Sequence, residues 1–188
     1  MSIIEYLVNI SRRRSPWLFH VDSGGCNGCD LEVIACFSPR YDAEQLGVKH
    51  EASPRHADII VVTGPVTRTA AEAVQRTYAQ VPDPKVVVAV GSCPATCNAY
   101  AGSPVVVGPL ERIIPVDVYV PGRPPRPDAI LEGIVQAAAI LSGATPRPIA
   151  EERVPAPAPE DAAPAAAEDA PEDVAATPET EAAEVVSP

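Results

Sequence analysis

Three short apolar segments constrain the fold of this chain most strongly. They cover residues 17–21, 59–62 and 85–90, and Val, Ile, Leu and Ala supply most of their side chains. Apolar runs of this length are typical of strands that are buried on both faces of a parallel sheet. Because only 4% of the residues are aromatic, the core has to be largely aliphatic. We therefore predict an α/β fold, in which helices flank a parallel sheet.

Helical periodicity and turn residues divide the rest of the chain. One helix is predicted at 31–37, a second follows the turn at 63–67 and ends at residue 80, and a third covers 128–141. Shorter extended segments are predicted at 48–51, 105–109 and 115–120. We expect one α/β domain over residues 17–144, with an amphipathic docking segment before it at 1–16 and a tail after it at 145–188.

The acidic residues are concentrated in the tail. The net charge of the chain is −11, and residues 151–188 contain eleven acidic residues and one basic residue. The rest of the chain is close to neutral and lacks the basic surface typical of nucleic-acid binding. The tail consists mainly of Ala, Pro, Glu and Asp, so we expect it to be disordered. No apolar run predicts a transmembrane helix and no signal peptide is recognisable, which favours an intracellular protein.

Two cysteine-bearing loops follow predicted strands. Cys26 and Cys29 lie in a glycine-rich loop after the first strand, and Cys93 and Cys97 follow the strand at 85–90. Because open α/β sheets place their ligands at the carboxyl ends of the strands, we expect both loops at one edge of the sheet. Two thiols three positions apart can bind a metal centre or form a redox disulfide.

Three kinds of thiol chemistry fit this spacing. Cys26, Cys29, Cys93 and Cys97 could bind one zinc ion with tetrahedral geometry, or could hold an iron–sulfur centre. Cys26 and Cys29 alone, between a strand and a helix, could form a thioredoxin-like dithiol. Iron content separates the iron–sulfur interpretation from the other two. Cys36 falls within the predicted helix and is interpreted as a buried thiol.

A series of motifs in fixed order resembles a known family. The chain is similar to the small, cluster-bearing subunit of membrane-bound nickel–iron hydrogenases and to the B-type subunit of NADH–quinone oxidoreductase, respiratory complex I. The resemblance extends from residue 17 to residue 141. Its motifs are at 25–30, 38–42, 54–58, 63–67, 91–93 and 121–127.

The resemblance implies a flavodoxin-like α/β fold and one 4Fe–4S cluster, for which Cys26, Cys29 and Cys93 match three ligands. It implies an electron-transfer subunit that is not catalytic alone. The implied partners are a large catalytic subunit, a ferredoxin-like iron–sulfur subunit and subunits of a membrane arm. The implied position is peripheral, on the cytoplasmic face of the cell membrane.

One ligand position departs from the family. The last motif has Arg123 where the family has its fourth cysteine, and a guanidinium offers hydrogen-bond donors but no lone pair to a metal. Three outcomes are open: Cys97 supplies the missing thiolate, the centre keeps three thiolates as a 3Fe–4S cluster or one with an open iron, or the cluster is lost. In the last case the subunit has a structural or assembly role. Glu32 and Arg123 are predicted to lie beside the centre, where a carboxylate can couple its protonation to electron transfer.

Overall fold

The computed structural model describes residues 10–11 and 14–145 of the chain. The predicted N-terminal helix and the predicted disordered tail lie outside these residues, apart from a few at their borders. No helix among the described residues is both long and apolar enough to cross a membrane.

Within the described residues, five parallel strands form the main sheet. They are β1 (Trp17–Asp22), β2 (Lys49–His50), β3 (Ile59–Thr63), β5 (Val86–Val90) and β7 (Val118–Val120), and their order in the sheet is β2-β1-β3-β5-β7. Counted along this sheet alone, the order is 2-1-3-4-5, as in flavodoxin-like folds. The predicted α/β fold with a parallel sheet is confirmed.

Two very short strands form a separate antiparallel pair. They are β4 (Val66–Thr67) and β6 (Val106–Gly108). The segment predicted as extended at 105–109 therefore does not join the main sheet. It pairs with the turn that precedes the second long helix, and the backbone N–H of Arg68 donates to the carbonyl of Val105 at 2.9 Å.

The helices are α1 (Gly28–Ala35), α2 (Arg68–Gln80), α3 (Ser92–Thr96) and α4 (Pro127–Leu141). Helix α1 begins three residues before the predicted start, because Asn27 adopts a left-handed conformation and its carbonyl already accepts the Leu31 N–H at 3.0 Å. The single turn of α3 lies where the sequence predicts a loop. It is closed by the Cys97 N–H, which donates to the Cys93 carbonyl at 2.8 Å.

The core lies on both faces of the sheet. Every residue of β3 and β5 is buried, and alternate side chains point to opposite faces. Ile59 and Val61 pack with residues of α1 and α4 on one face. Ile60 and Val62 pack with residues of α2 and of the segment 110–116 on the other. The aliphatic runs in the sequence thus become central strands covered on both sides.

Gly133 allows α4 to pack closely against the edge strand β7. A Cβ at this position would press against Cγ2 of Val120, which is β-branched and 3% exposed. We predict that Gly133→Ala lowers the free energy of unfolding by roughly 1–2 kcal/mol, because overpacking a core outweighs the higher helix propensity of Ala. Thermal or urea unfolding measures the change.

Gln136→Ala is the matched control, since Gln136 is exposed on the same helix. It should change the free energy of unfolding by no more than about 0.5 kcal/mol. Equal stability of the Gly133→Ala variant and the wild type would contradict the packing argument.

Candidate functional site

Loops that follow the central strands meet at one edge of the sheet. The Cys26 loop follows β1, Gly64 follows β3 and the Cys93 turn follows β5. The chain reverses its direction of winding between β1 and β3, and flavodoxin-like folds bind their ligands at this switch point. The expectation that the two cysteine loops share one edge is confirmed.

Hydrogen bonds fix the start of the first cysteine loop. The Asp22 carboxylate accepts the N–H groups of Gly24 and Gly25 at 2.9 and 2.7 Å. The fully buried Ser23 hydroxyl donates to the carbonyls of Thr63 and Gly64 at 2.7 and 3.0 Å. The backbone that leads to Cys26 is therefore anchored to β3.

The two cysteine loops touch through Cys29 and Gly91. Gly91 has a φ of +93°, and a Cβ on it would lie 2.7 Å from Sγ of Cys29. Only glycine combines this backbone conformation with the space that the sulfur needs. Gly91 therefore lets the sulfur of the first loop lie directly against the backbone of the second.

A third loop brings Arg123 to the same place. The Gly122 carbonyl accepts both the backbone N–H and the hydroxyl of Ser92, at 2.8 and 3.0 Å. The following residue, Arg123, is exposed, and its positive charge acts to lower the pKa of Cys93. The residue that replaces the family's fourth cysteine thus lies close enough to Cys93 to affect its ionisation.

The three thiols also influence one another. Burial, followed by the negative charge of Cys93, raises the pKa of Cys29 to about 11, and Asp30, Cys26 and Glu32 add to the shift. Burial raises the pKa of Cys93, while Arg123 opposes and Cys26 adds to this shift. Cys26, Cys29 and Cys93 therefore form one electrostatically coupled group.

Cys97 and Cys36 occupy different surroundings. Cys97 is 3% exposed in a left-handed conformation, and burial raises its pKa while Arg112 opposes and Cys93 adds to the shift. Cys36 is fully buried and donates from Sγ to the carbonyls of Glu32 and Pro127, so the prediction of a buried thiol is confirmed. Cys97 is thus linked to the thiol group through Cys93, whereas Cys36 packs in the core.

An ionisable group that sequence reasoning missed lies beneath the first loop. His20 Nε2 is 2.9 Å from Oδ1 of Asp30 and 3.1 Å from Oγ1 of Thr63. The sequence does carry a signal, because His20 is the one ionisable side chain in the apolar segment 17–21. His20 has no metal-spaced partner in the sequence, however, and its actual partners come from α1 and β3.

The donor set suits a polynuclear centre better than a single ion. Among the described residues, no three His, Cys, Asp or Glu side chains are arranged to hold one metal ion. A tetrahedral zinc ion needs its sulfurs gathered around one atom, whereas an iron–sulfur cluster distributes its thiolates over several irons. Three coupled thiols with a guanidinium beside them can balance the negative charge of such a cluster.

The fold and the thiol-bearing edge define a flavodoxin-like α/β protein with a cysteine site at its switch point. The family described as NADH ubiquinone oxidoreductase, 20 Kd subunit, matches residues 26–137. The chain belongs to this family.

Individual relatives agree with the family match. A probable membrane-bound hydrogenase subunit mbhJ of Pyrococcus furiosus is 57% identical over 143 residues, covering 74% of this chain and 86% of the relative. An NADH-quinone oxidoreductase subunit of Heliobacterium modesticaldum is 41% identical over 137 residues, covering 72% and 77%. A chain in the solved structure of a membrane-bound sulfane sulfur reductase, an archaeal respiratory membrane complex, is 36% identical with a TM-score of 0.65, covering 74% of this chain and 77% of that chain. The resemblance drawn from the motifs is confirmed.

We predict that iodoacetamide labels Cys26 before Cys29 in the metal-free chain at about pH 8. Cys26 is exposed, whereas the pKa of Cys29 is raised to about 11. Only the thiolate reacts, and at about pH 8 roughly one Cys29 thiol in a thousand is ionised. Raising the pH by about two units should accelerate the labelling of Cys29 by about a hundredfold, which peptide mass spectrometry measures.

Cys36 provides the control for access. Its pKa is also raised to about 11, but it is buried, so it should stay unlabelled over the whole pH range. Labelling of Cys29 at the rate of Cys26 at about pH 8 would contradict the proposed effect of burial and charge.

Proposed function

We propose that this chain is an iron–sulfur electron-transfer subunit of a membrane-bound hydrogenase-like or complex I-like oxidoreductase. The observation that carries the proposal is the convergence of Cys26, Cys29 and Cys93 at the switch point of a chain that belongs to this family. In this role the chain has no catalytic activity alone. It relays electrons next to the active site of a large subunit.

Cys26, Cys29 and Cys93 are the proposed ligands of a 4Fe–4S-type cluster. Such a cluster accepts and releases one electron at a time, and its potential depends on ligands, local charge and solvent access. Asp22 and Ser23 orient the loop of Cys26 through their hydrogen bonds, and Gly91 leaves room for Cys29. Arg123 and Glu32 place one positive and one negative charge beside the thiols.

Two assignments of the fourth ligand follow from the geometry. Cys97 is the proposed fourth thiolate, because it is one helical turn from Cys93 and is electrostatically coupled to it. Its burial beside Arg112 favours the second assignment, in which the centre has three thiolates, as a 3Fe–4S cluster or with an open iron.

Loss of the cluster is the competing function. Arg123 occupies the place of the fourth cysteine, and a guanidinium cannot replace a thiolate as an iron ligand. A chain without the cluster would keep the fold and the partners and serve as a structural or assembly subunit.

An apolar surface next to the first cysteine loop supports a partner there. Leu31 and Ile34 lie three residues apart on α1, and their side chains are 66% and 63% exposed. Adjacent exposed apolar side chains of this size mark protein contact surfaces more often than open surface. We assign this surface to the large catalytic subunit. A ferredoxin-like iron–sulfur subunit and the membrane arm complete the proposed complex, with this chain peripheral on the cytoplasmic face of the membrane.

We predict that Cys26→Ser, Cys29→Ser and Cys93→Ser each remove most of the iron and acid-labile sulfide from the anaerobically purified complex. Each change removes one of the proposed thiolate ligands. Iron and sulfide analysis, with electron paramagnetic resonance spectra of the reduced protein, measures the loss. Cys36→Ser is the control and should keep the full iron content, because Cys36 packs in the core.

The Cys97→Ser variant separates the two ligand assignments. Loss of iron identifies Cys97 as the fourth ligand, whereas full retention with wild-type spectra assigns a three-thiolate centre. Wild-type protein without iron or sulfide would overturn the electron-transfer function and favour the structural role, and zinc in their place would favour a structural metal site.

We predict that Arg123→Cys lowers the midpoint potential of the centre. The change replaces a cation beside Cys93 with a thiol that can ligate iron, and added negative charge disfavours reduction. A potentiometric titration followed by electron paramagnetic resonance measures the potential. Arg126→Cys is the matched control, since Arg126 is an exposed arginine of the same loop. Equal shifts in the two variants would show that Arg123 has no special position relative to the centre.

A further inference from the structure

His20, Asp30 and Thr63 form a connected polar group below the first cysteine loop. Oδ1 of Asp30 lies 2.9 Å from Nε2 of His20 and accepts the Thr63 hydroxyl at 2.5 Å. Thr63 is fully buried, and the side chains of His20 and Asp30 are 17% and 13% exposed. Because an ionised carboxylate only accepts hydrogen bonds, Nε2 of His20 carries the proton that faces Asp30. The other ring nitrogen, Nδ1, is therefore the one that can take up a second proton.

The charges around His20 nearly balance. Burial lowers the pKa of His20, the charges of Asp30 and Asp22 oppose this shift, and His50 adds to it. The facing groups come from α1, from β1 itself and from the neighbouring strand β2. A histidine in this balance changes its protonation in response to a modest change in local charge.

Asp30 connects His20 to the cysteine site. It follows Cys29 directly in the chain, and its charge is among the causes that raise the pKa of Cys29. A negative charge added at the thiol group therefore acts across Asp30 on His20. Within hydrogen-bond distance of Asp30, His20 is the group placed to compensate such a charge with a proton.

We propose that His20 couples proton uptake to reduction of the iron–sulfur centre, acting through Asp30. The proposal rests on the proposed function. His20 takes one proton from water at Nδ1 as the centre receives one electron, so the net charge of the region stays constant. Reoxidation returns the proton to water. His20 is a positioning residue for charge, because it acts on the centre through Asp30.

The coupling has a defined dependence on pH. Reduction adds negative charge and therefore raises the proton affinity of His20 above its value in the oxidised state. Between the two pKa values of His20, oxidised and reduced, the midpoint potential should fall as the pH rises. The expected slope is about 59 mV per pH unit, which is a tenfold change in proton activity converted for a one-electron couple. Above and below this window the potential should be constant.

The experiment is a potentiometric titration of the full chain in its complex at several pH values, with dithionite as reductant and electron paramagnetic resonance as the signal. His20→Gln keeps an amide N–H for Asp30 but does not titrate, so its potential should be independent of pH. His50→Gln is the matched control, because His50 is exposed and contacts Phe37 by ring packing. It should keep the slope, with at most a small displacement of the window.

Iron content separates this proposal from the proposed function. Full iron with a slope in wild type and no slope in His20→Gln supports the coupling. Full iron with no slope in wild type, or with the same slope in His20→Gln, overturns the coupling and leaves the relay intact. Wild-type protein without iron overturns both.

A second variant decides the outcome if His20→Gln fails to hold its iron. Asp30→Asn removes the charge that raises the pKa of His20, so the sloping window should move to lower pH. A window at the wild-type position would overturn the proposal.

Discussion

The close contact between Sγ of Cys29 and the backbone of Gly91 holds the site together. It requires β1 and β5 to lie on either side of β3, in a register that brings their carboxyl ends to one edge. That register is secured by the two-sided burial of β3 and β5. A slip of one residue would turn the apolar side chains of one core layer into the other and would separate the two cysteine loops.

Much of the fold could be predicted from the sequence, because its strongest signals are long and apolar. The segments 59–62 and 85–90 became the central strands, and the helices ending at residues 80 and 141 have the predicted ends. The start of α1 was misplaced because the left-handed conformation of Asn27 leaves no clear trace in hydrophobic periodicity. The pair of β4 and β6 was missed because its strands have only two and three residues.

The candidate site was predictable only where residues had a recognisable spacing. Cys26, Cys29 and Cys93 were found from motifs, and the structure brings all three together. Their assignment as ligands, like that of Cys97, remains a prediction. The contact of His20 with Asp30 and Thr63 could not be predicted in the same way, since it joins residues ten and forty-three positions apart. Only the packing of α1 and β3 against β1 creates it.

The electrostatics of the site favour a bound cation or cluster over free thiolates. In the folded chain, burial and mutual repulsion raise the pKa values of Cys29 and Cys93, so the thiols keep their protons near neutral pH. Iron must displace these protons, and its own charge then reverses the local balance. Arg123 helps in this exchange because it favours the thiolate of Cys93. Replacement of a cysteine by Arg123 thus removes one ligand but assists the ionisation of another. A three-thiolate centre beside this arginine is therefore electrostatically coherent.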